Sequence, residues 1–188
     1  VIPCGKGQWF DQHNAWMSYG AITARSLNAQ FHLSSVSGIG LMHSCCDMNI
    51  TMPQVFDKID MRGDSVAWDF KTYQPDVLTV CLGQNDGKQD SAVFCNNYIS
   101  FLKTLRNNYP NTKIVLLTSP MANKNLRVFM KSSIEAVATA MQAAGDQNIH
   151  TYVFEKQYMG GCGGHPSLQD HMEIAADLRG YLMKLMNW

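Results

Sequence analysis

Two stretches of this 188-residue chain, "VLTVCL" at 77–82 and "KIVLL" at 113–117, are apolar at almost every position. A strand with one wet face alternates polar and apolar residues, so runs like these describe strands covered on both sides, the arrangement of a parallel sheet. The segments between them fit that reading. "SAVFCNNYISFLKTLRNNYP" places Val93, Phe94, Tyr98, Phe101, Leu102 and Leu105 on one helical stripe and stops at Pro110, and "LRVFMKSSIEAVATAMQAAG" is a second helix closing on Gly145. "NIHTYVFE" is a further strand, and "SLQDHMEIAADLRGYLMKLM" is a last helix that Ser167 can cap. The alternation predicts an α/β fold with a central parallel sheet flanked by helices.

The N-terminal part is less regular. "NAWMSYGAITARSLN" sets Trp16, Ile22 and Leu27 on one helical face, "FHLSSVSG" reads as a strand, and "MPQVFDKI" as a short helix. A sheet of this kind usually begins with a strand, yet the first helix has none before it, which predicts a strand upstream of Val1. Neither a repeat nor a low-complexity linker divides the chain, so 1–188 reads as one domain, incomplete at its N-terminus.

Fifteen basic and fifteen acidic residues give zero formal charge, which argues against nucleic acid as a partner. No window approaches the roughly 20 consecutive apolar residues of a membrane helix. The six cysteines lack the paired spacing of a zinc site, so no metal is expected. Cys81 and Cys95 read as small buried hydrophobes, whereas Cys4, Cys45, Cys46 and Cys162 fall in loops where an oxidising compartment would allow disulfides of unassigned pairing.

In parallel sheets ligands gather beyond the carboxyl ends of the strands, so the polar residues there carry the chemistry. They are "SGIG" at 37–40, "GQNDG" at 83–87, "SPMAN" at 119–123 and "GGCGGHPS" at 160–167. Asn85 can present an N–H to a developing oxyanion, although "NDG" is equally the chemistry of a plain turn. The glycines of "SGIG" offer the same choice. Asp86 could be a base in principle, but beside Asn85 it suits a structural or orienting role. His165, between glycine and proline ahead of a helix, is placed to act as general base and then general acid. His32 and His150 fall in predicted strands, His171 in the last helix, and His13 and His43 in loops.

The order strand–SGxG, strand–GxND, then a late loop histidine followed by proline resembles the SGNH (GDSL-type) hydrolases. "YGAITARSLNA", "SGIGL", "TMPQVFDKI", "WDF", "QPDVLTVCLGQNDG", "FLKTLRNNYP", "LLTSPM" and "GCGGHPS" are together similar to the esterase domain of carbohydrate esterase family 2, from about Trp16 onward. The resemblance implies a three-layer, flavodoxin-like fold. It also implies a serine esterase that removes acetyl groups from plant polysaccharides such as xylan, without a cofactor and outside the cell or in the periplasm. By the same resemblance Gly40, or Gly38 in the alternative register, and Asn85 are the oxyanion donors and His165 is the base. His165 and Asn85 are expected at one rim of the sheet.

Two departures stand out. The family's nucleophile, in a Gly-Asp-Ser after the first strand, has no match before the first helix, which places it upstream of Val1. Gly63-Asp64-Ser65 follows no buried strand and reads as a coincidence, with Ser65 the lesser candidate. Three residues before His165, where most of the superfamily has aspartate, stands Cys162, so the expected orienter is a backbone carbonyl in Gly163–Gly164 within a Ser–His dyad. Gly163-Gly164 also replaces an Asp-Trp common in the resembling family, removing an aromatic contact to substrate. Both departures keep a second reading open, a non-catalytic carbohydrate-binding module on the same scaffold, with further domains upstream.

Overall fold

The computed structural model describes residues 2–63 and 66–188, with backbone only at Trp9, so Asp64 and Ser65 lie outside the described residues. The chain forms two compact units, Ser34–Phe154 and a second assembled from 1–33 and 155–188.

The contiguous unit holds a parallel sheet in the order β1 (Val77–Val80), β2 (Lys113–Leu117), β3 (Ile149–Tyr152). Thr79 sits opposite Val115 and Leu116 opposite Thr151. The strands predicted over the 77–82, 113–117 and 148–155 runs are present, and burial of both faces is complete in the middle one. β2, central in the sheet, has Ile114 to Leu117 fully buried. β1 occupies an edge, and Val77, Leu78 and Thr79 are only half-buried despite their apolar run. Among the described residues no strand pairs with its outer side.

Helices α3 (Ser91–Asn108) and α4 (Lys124–Ala143) connect the strands and pack on each other. Asp90 and Asn123 cap them, each accepting an N–H from the first turn. Phe94, Tyr98, Phe101, Leu102 and Leu105 line the core as their spacing predicts, while Val93 is exposed at the helix start. Gly145 adopts φ +101 after α4, so the following chain can return Asp146 N–H to the Met141 carbonyl. At the other end of the sheet Arg106 makes a bidentate pair with Asp146 (2.8 and 3.1 Å) and donates to the carbonyls of Tyr109 and Thr112. The short helix α2 (Met52–Val55) begins in a Thr51–Gln54 capping box.

The strand predicted over "FHLSSVSG" is absent: residues 29–36 have no regular secondary structure, and His32 is accordingly not in a strand. Alternating Phe31 and Leu33 with polar neighbours gives the right pattern, but a strand also needs a ladder partner.

In the other unit α1 (Tyr19–Ser26) packs on α5 (Leu168–Met186), with the Thr23 hydroxyl 3.3 Å from the Ala175 carbonyl. Trp16 lies in a separate 3₁₀ turn, exposed, with the Arg25 guanidinium 4.0 Å from its ring centre. His171 accepts the Tyr19 N–H at Nδ1 (3.2 Å) and stacks on the Tyr19 ring. Burial holds its pKa below the ordinary value, against the opposing pull of Asp170. A base with a depressed folded pKa contributes stability above its unfolded pKa of about 6.5 and loses it as pH falls. Thermal unfolding followed from pH 7.5 to 5 is expected to show a smaller acid loss in His171→Gln than in the parent chain.

Candidate active site

The end of β1 carries Gly83, Gln84, Asn85 and Asp86, of which Asn85 and Asp86 have defined partners while Gln84 Oε1 is buried without one among the described residues. Asn85 is exposed, and its Nδ2 donates one hydrogen to the Ile39 carbonyl at 2.8 Å, which leaves the amide's second N–H uncommitted by that bond. Asp86 is buried. Its carboxylate accepts three consecutive backbone N–H groups, those of Leu41 (2.9 Å), Met42 (2.6 Å) and His43 (3.0 Å). Asn85 and Asp86 therefore staple the 39–43 loop to the strand end, and burial of Ile39 and Leu41 anchors the loop from below. Asp86 thus holds the 41–43 backbone in place.

Gly40 belongs to this cluster. A Cβ there would lie 1.9 Å from the His43 carbonyl oxygen and 2.7 Å from Asp86 Oδ2, so only glycine fits the loop's return. Its N–H donates to Ser44 Oγ (3.0 Å), and Ser44 in turn donates to the Ile50 carbonyl (2.5 Å). Gly38, the alternative register, has φ +85, and its carbonyl accepts from Cys45 N–H. Nothing in the sequence singles out Ser44, a serine in an irregular loop whose part here comes from its bonds to the Gly40 N–H and the Ile50 carbonyl. Adjacent Cys45 and Cys46 form a disulfide on the same loop.

His165 lies in the other unit, on the 160–167 loop ahead of α5. It is exposed, and its Nδ1 stands 3.2 Å from the Cys162 carbonyl oxygen. A carbonyl only accepts, so this contact is a hydrogen bond when Nδ1 carries the proton, and that tautomer leaves Nε2 with a free lone pair. The contact corrects the expected orienter, which is the carbonyl of Cys162 rather than one from Gly163–Gly164. The side chain of Cys162 is bonded to Cys4, 158 residues away. A cross-link closing so long a loop removes on the order of 5 kcal/mol of denatured-chain entropy.

Ser167 caps α5 reciprocally with Asp170, as anticipated. Asp170 Oδ2 also takes the N–H of Gly160 (2.8 Å), and hydrogen bonds from the Ser167 backbone first, then Gly160, hold its carboxyl below the usual range. Among the described residues no cluster of His, Cys, Asp or Glu could hold a metal ion, and no helix is long and apolar enough to cross a membrane.

The sequence profile of the GDSL-like lipase/acylhydrolase family matches residues 2–171. The chain belongs to that family. It is 31% identical over 183 residues to an acetylxylan esterase / glucomannan deacetylase of Cellvibrio japonicus, covering 93% of this chain and 50% of that protein. Over 188 residues it is 30% identical to the cellulase/esterase CelE of Acetivibrio thermocellus, covering 93% of this chain and 22% of that protein. The chain thus spans half or less of these relatives. Among solved structures, a family two carbohydrate esterase from Cellvibrio japonicus superposes with a TM-score of 0.89 at 28% identity, over 98% of this chain and 56% of that one. Another from Clostridium thermocellum, in complex with cellohexaose, gives 0.87 at 28% identity, over 93% of this chain and 56% of that one. The parallel sheet flanked by helices is the fold of these neighbours, as the resemblance in sequence implied.

Proposed function

We propose that the protein carrying this chain is a serine esterase that removes O-acetyl groups from plant polysaccharides or their oligosaccharides. The observation that carries the reading is Asn85: an exposed carboxamide at the carboxyl end of a parallel strand, aimed through its bond to the Ile39 carbonyl and backed by the Asp86 clamp. Such a donor is organised before charge develops and needs no rearrangement when it does. Two relatives bearing the name acetylxylan esterase or cellulase/esterase support the substrate class.

In this reading a serine hydroxyl attacks the acetyl carbonyl and passes its proton to Nε2 of His165. Asn85 Nδ2 and the N–H of Gly40 hold the oxyanion. Collapse expels the sugar oxygen, which takes the proton from Nε2, and water then releases acetate by the same route in reverse. For Gly40 to serve, its N–H must be shared with or released by Ser44 Oγ. The serine is proposed to lie upstream of Val1, on a strand that would pair with the open side of β1 and cover its half-buried apolar residues. The reading also takes the protein as exported, a setting that suits its disulfides.

Acetate release from a chromogenic acetyl ester and from acetylated xylan tests this. Asn85→Ala is expected to lower kcat by about 10²–10³-fold; an undiminished kcat would remove Asn85 from the reaction. Binding of cellohexaose without any acetate release would instead favour the carbohydrate-binding module, a reading raised by the two departures in sequence and favoured also by the cellohexaose complex of the Clostridium thermocellum structure.

A further inference from the structure

Cys162 serves the 160–167 loop with two different groups. Its carbonyl oxygen receives both the main-chain N–H of His165 (3.1 Å) and that residue's Nδ1 (3.2 Å), while its sulfur is bonded to Cys4. The two residues between them, Gly163 and Gly164, adopt φ +60 and +73 and carry no side chains that could lock the intervening peptide planes. The rest of the loop is held from other points. Gly161 N–H donates to the His165 carbonyl (2.7 Å), and Asp170 grips Gly160 and Ser167 at the loop's two limbs (2.8 Å each). Those bonds fix the limbs and the backbone of residue 165, while the Cys162 carbonyl is held from within the loop by the His165 N–H across two glycines and residue 162 is anchored from outside the loop by its disulfide.

We propose that Cys4 is a positioning residue for His165. Its disulfide holds Cys162 so that the carbonyl faces Nδ1 and keeps Nε2 as the free base. Where an aspartate side chain would orient the imidazole, this chain uses the main chain of the same residue and commits the side chain to an anchor. The N-terminal arm that supplies Cys4 is shaped by bonds within itself, Lys6 N–H to the Pro3 carbonyl (3.0 Å) and Gln12 Nε2 to the Lys6 carbonyl (3.1 Å), and the disulfide carries it to the loop. The inference rests on the reading of His165 as the base. It makes the imidazole's geometry dependent on oxidation: a reduced protein keeps every residue of the site but loses the preferred tautomer.

The test is ¹⁵N-histidine NMR of the full chain, at a pH where His165 is neutral, with His165 assigned by its absence from His165→Ala. The parent protein should show one tautomer, protonated at Nδ1, and Cys4→Ser should show loss of that single-tautomer signature with the amide spectrum of α5 and the sheet preserved. Reduction of the parent by a phosphine, which takes up the oxygen of water and leaves two thiols, should give the same loss. An unchanged His165 signature in Cys4→Ser or in the reduced protein overturns the proposal. So does collapse of the whole amide spectrum, which would assign the disulfide to the fold at large. Because this readout needs no turnover, it is independent of acetate release by His165→Ala, which decides whether the histidine is the base at all.

Discussion

Replacing His165 by alanine is expected to lower kcat for acetyl-ester hydrolysis by at least about 10³-fold while leaving the thermal unfolding temperature within a few degrees of the parent. The ring is exposed, and its recorded contact is with the carbonyl three residues back, so little packing is lost. The rate should collapse because a neutral serine hydroxyl is a weak nucleophile without a base to take its proton. Stopped assays with the chromogenic ester and near-UV circular dichroism on the same samples separate the two effects. An active His165→Ala enzyme would end the dyad reading.

Asp86→Asn is expected to produce the largest change in stability. The carboxylate accepts three backbone N–H groups through two oxygens, with Oδ1 serving Met42 and His43 and Oδ2 serving Leu41. Asparagine keeps one acceptor oxygen and turns an NH₂ group toward at least one of those donors. Hydrogen bonds to a charged group contribute about 1.5–3 kcal/mol each, and a buried donor left facing a donor costs a similar amount. A loss of about 3 kcal/mol in urea unfolding, read as a lower midpoint at unchanged slope, is the expected result. Activity should fall as well, since releasing 41–43 frees the loop that carries Gly40 and receives Asn85. A midpoint shift under about 0.5 kcal/mol would show that the loop is held by Ile39 and Leu41 burial alone.

Long, uniformly apolar or strongly periodic segments were the legible part of the fold. β1, β2, the stripe of α3 and the helix α4 announce themselves in local composition, although β1's apolar run overstates its burial at the sheet edge. Residues 31–38 mislead for the complementary reason: alternation is necessary for a strand, but a ladder partner is a property of the rest of the molecule. Of the proposed site residues, Asn85 could be singled out by its place after a strand and His165 by its place before a helix, whereas Gly40 came from the family resemblance, since the strand expected before it is absent. The Asp86 clamp, the Ser44 bond to Gly40 and the Cys162 carbonyl could not, since each is a contact with backbone atoms that every residue possesses. The Cys4–Cys162 pairing was equally silent, because a separation of 158 residues leaves no local pattern to read.

One unit is contiguous in sequence, while the other is built from the two ends of the chain, with α1 near the start packing on α5 near the end. On a ribosome or during passage through a translocon, residues 34–154 emerge together and can condense first, but α1 must wait for α5 to be made. Its pairing is among the most non-local in the molecule, so it should complete folding late. The bond between Cys4 and Cys162 would then close only after residue 162 has emerged, leaving the Cys4 thiol open to wrong partners in the meantime. Yield should therefore depend on a disulfide isomerase more than the stability of the finished protein would suggest.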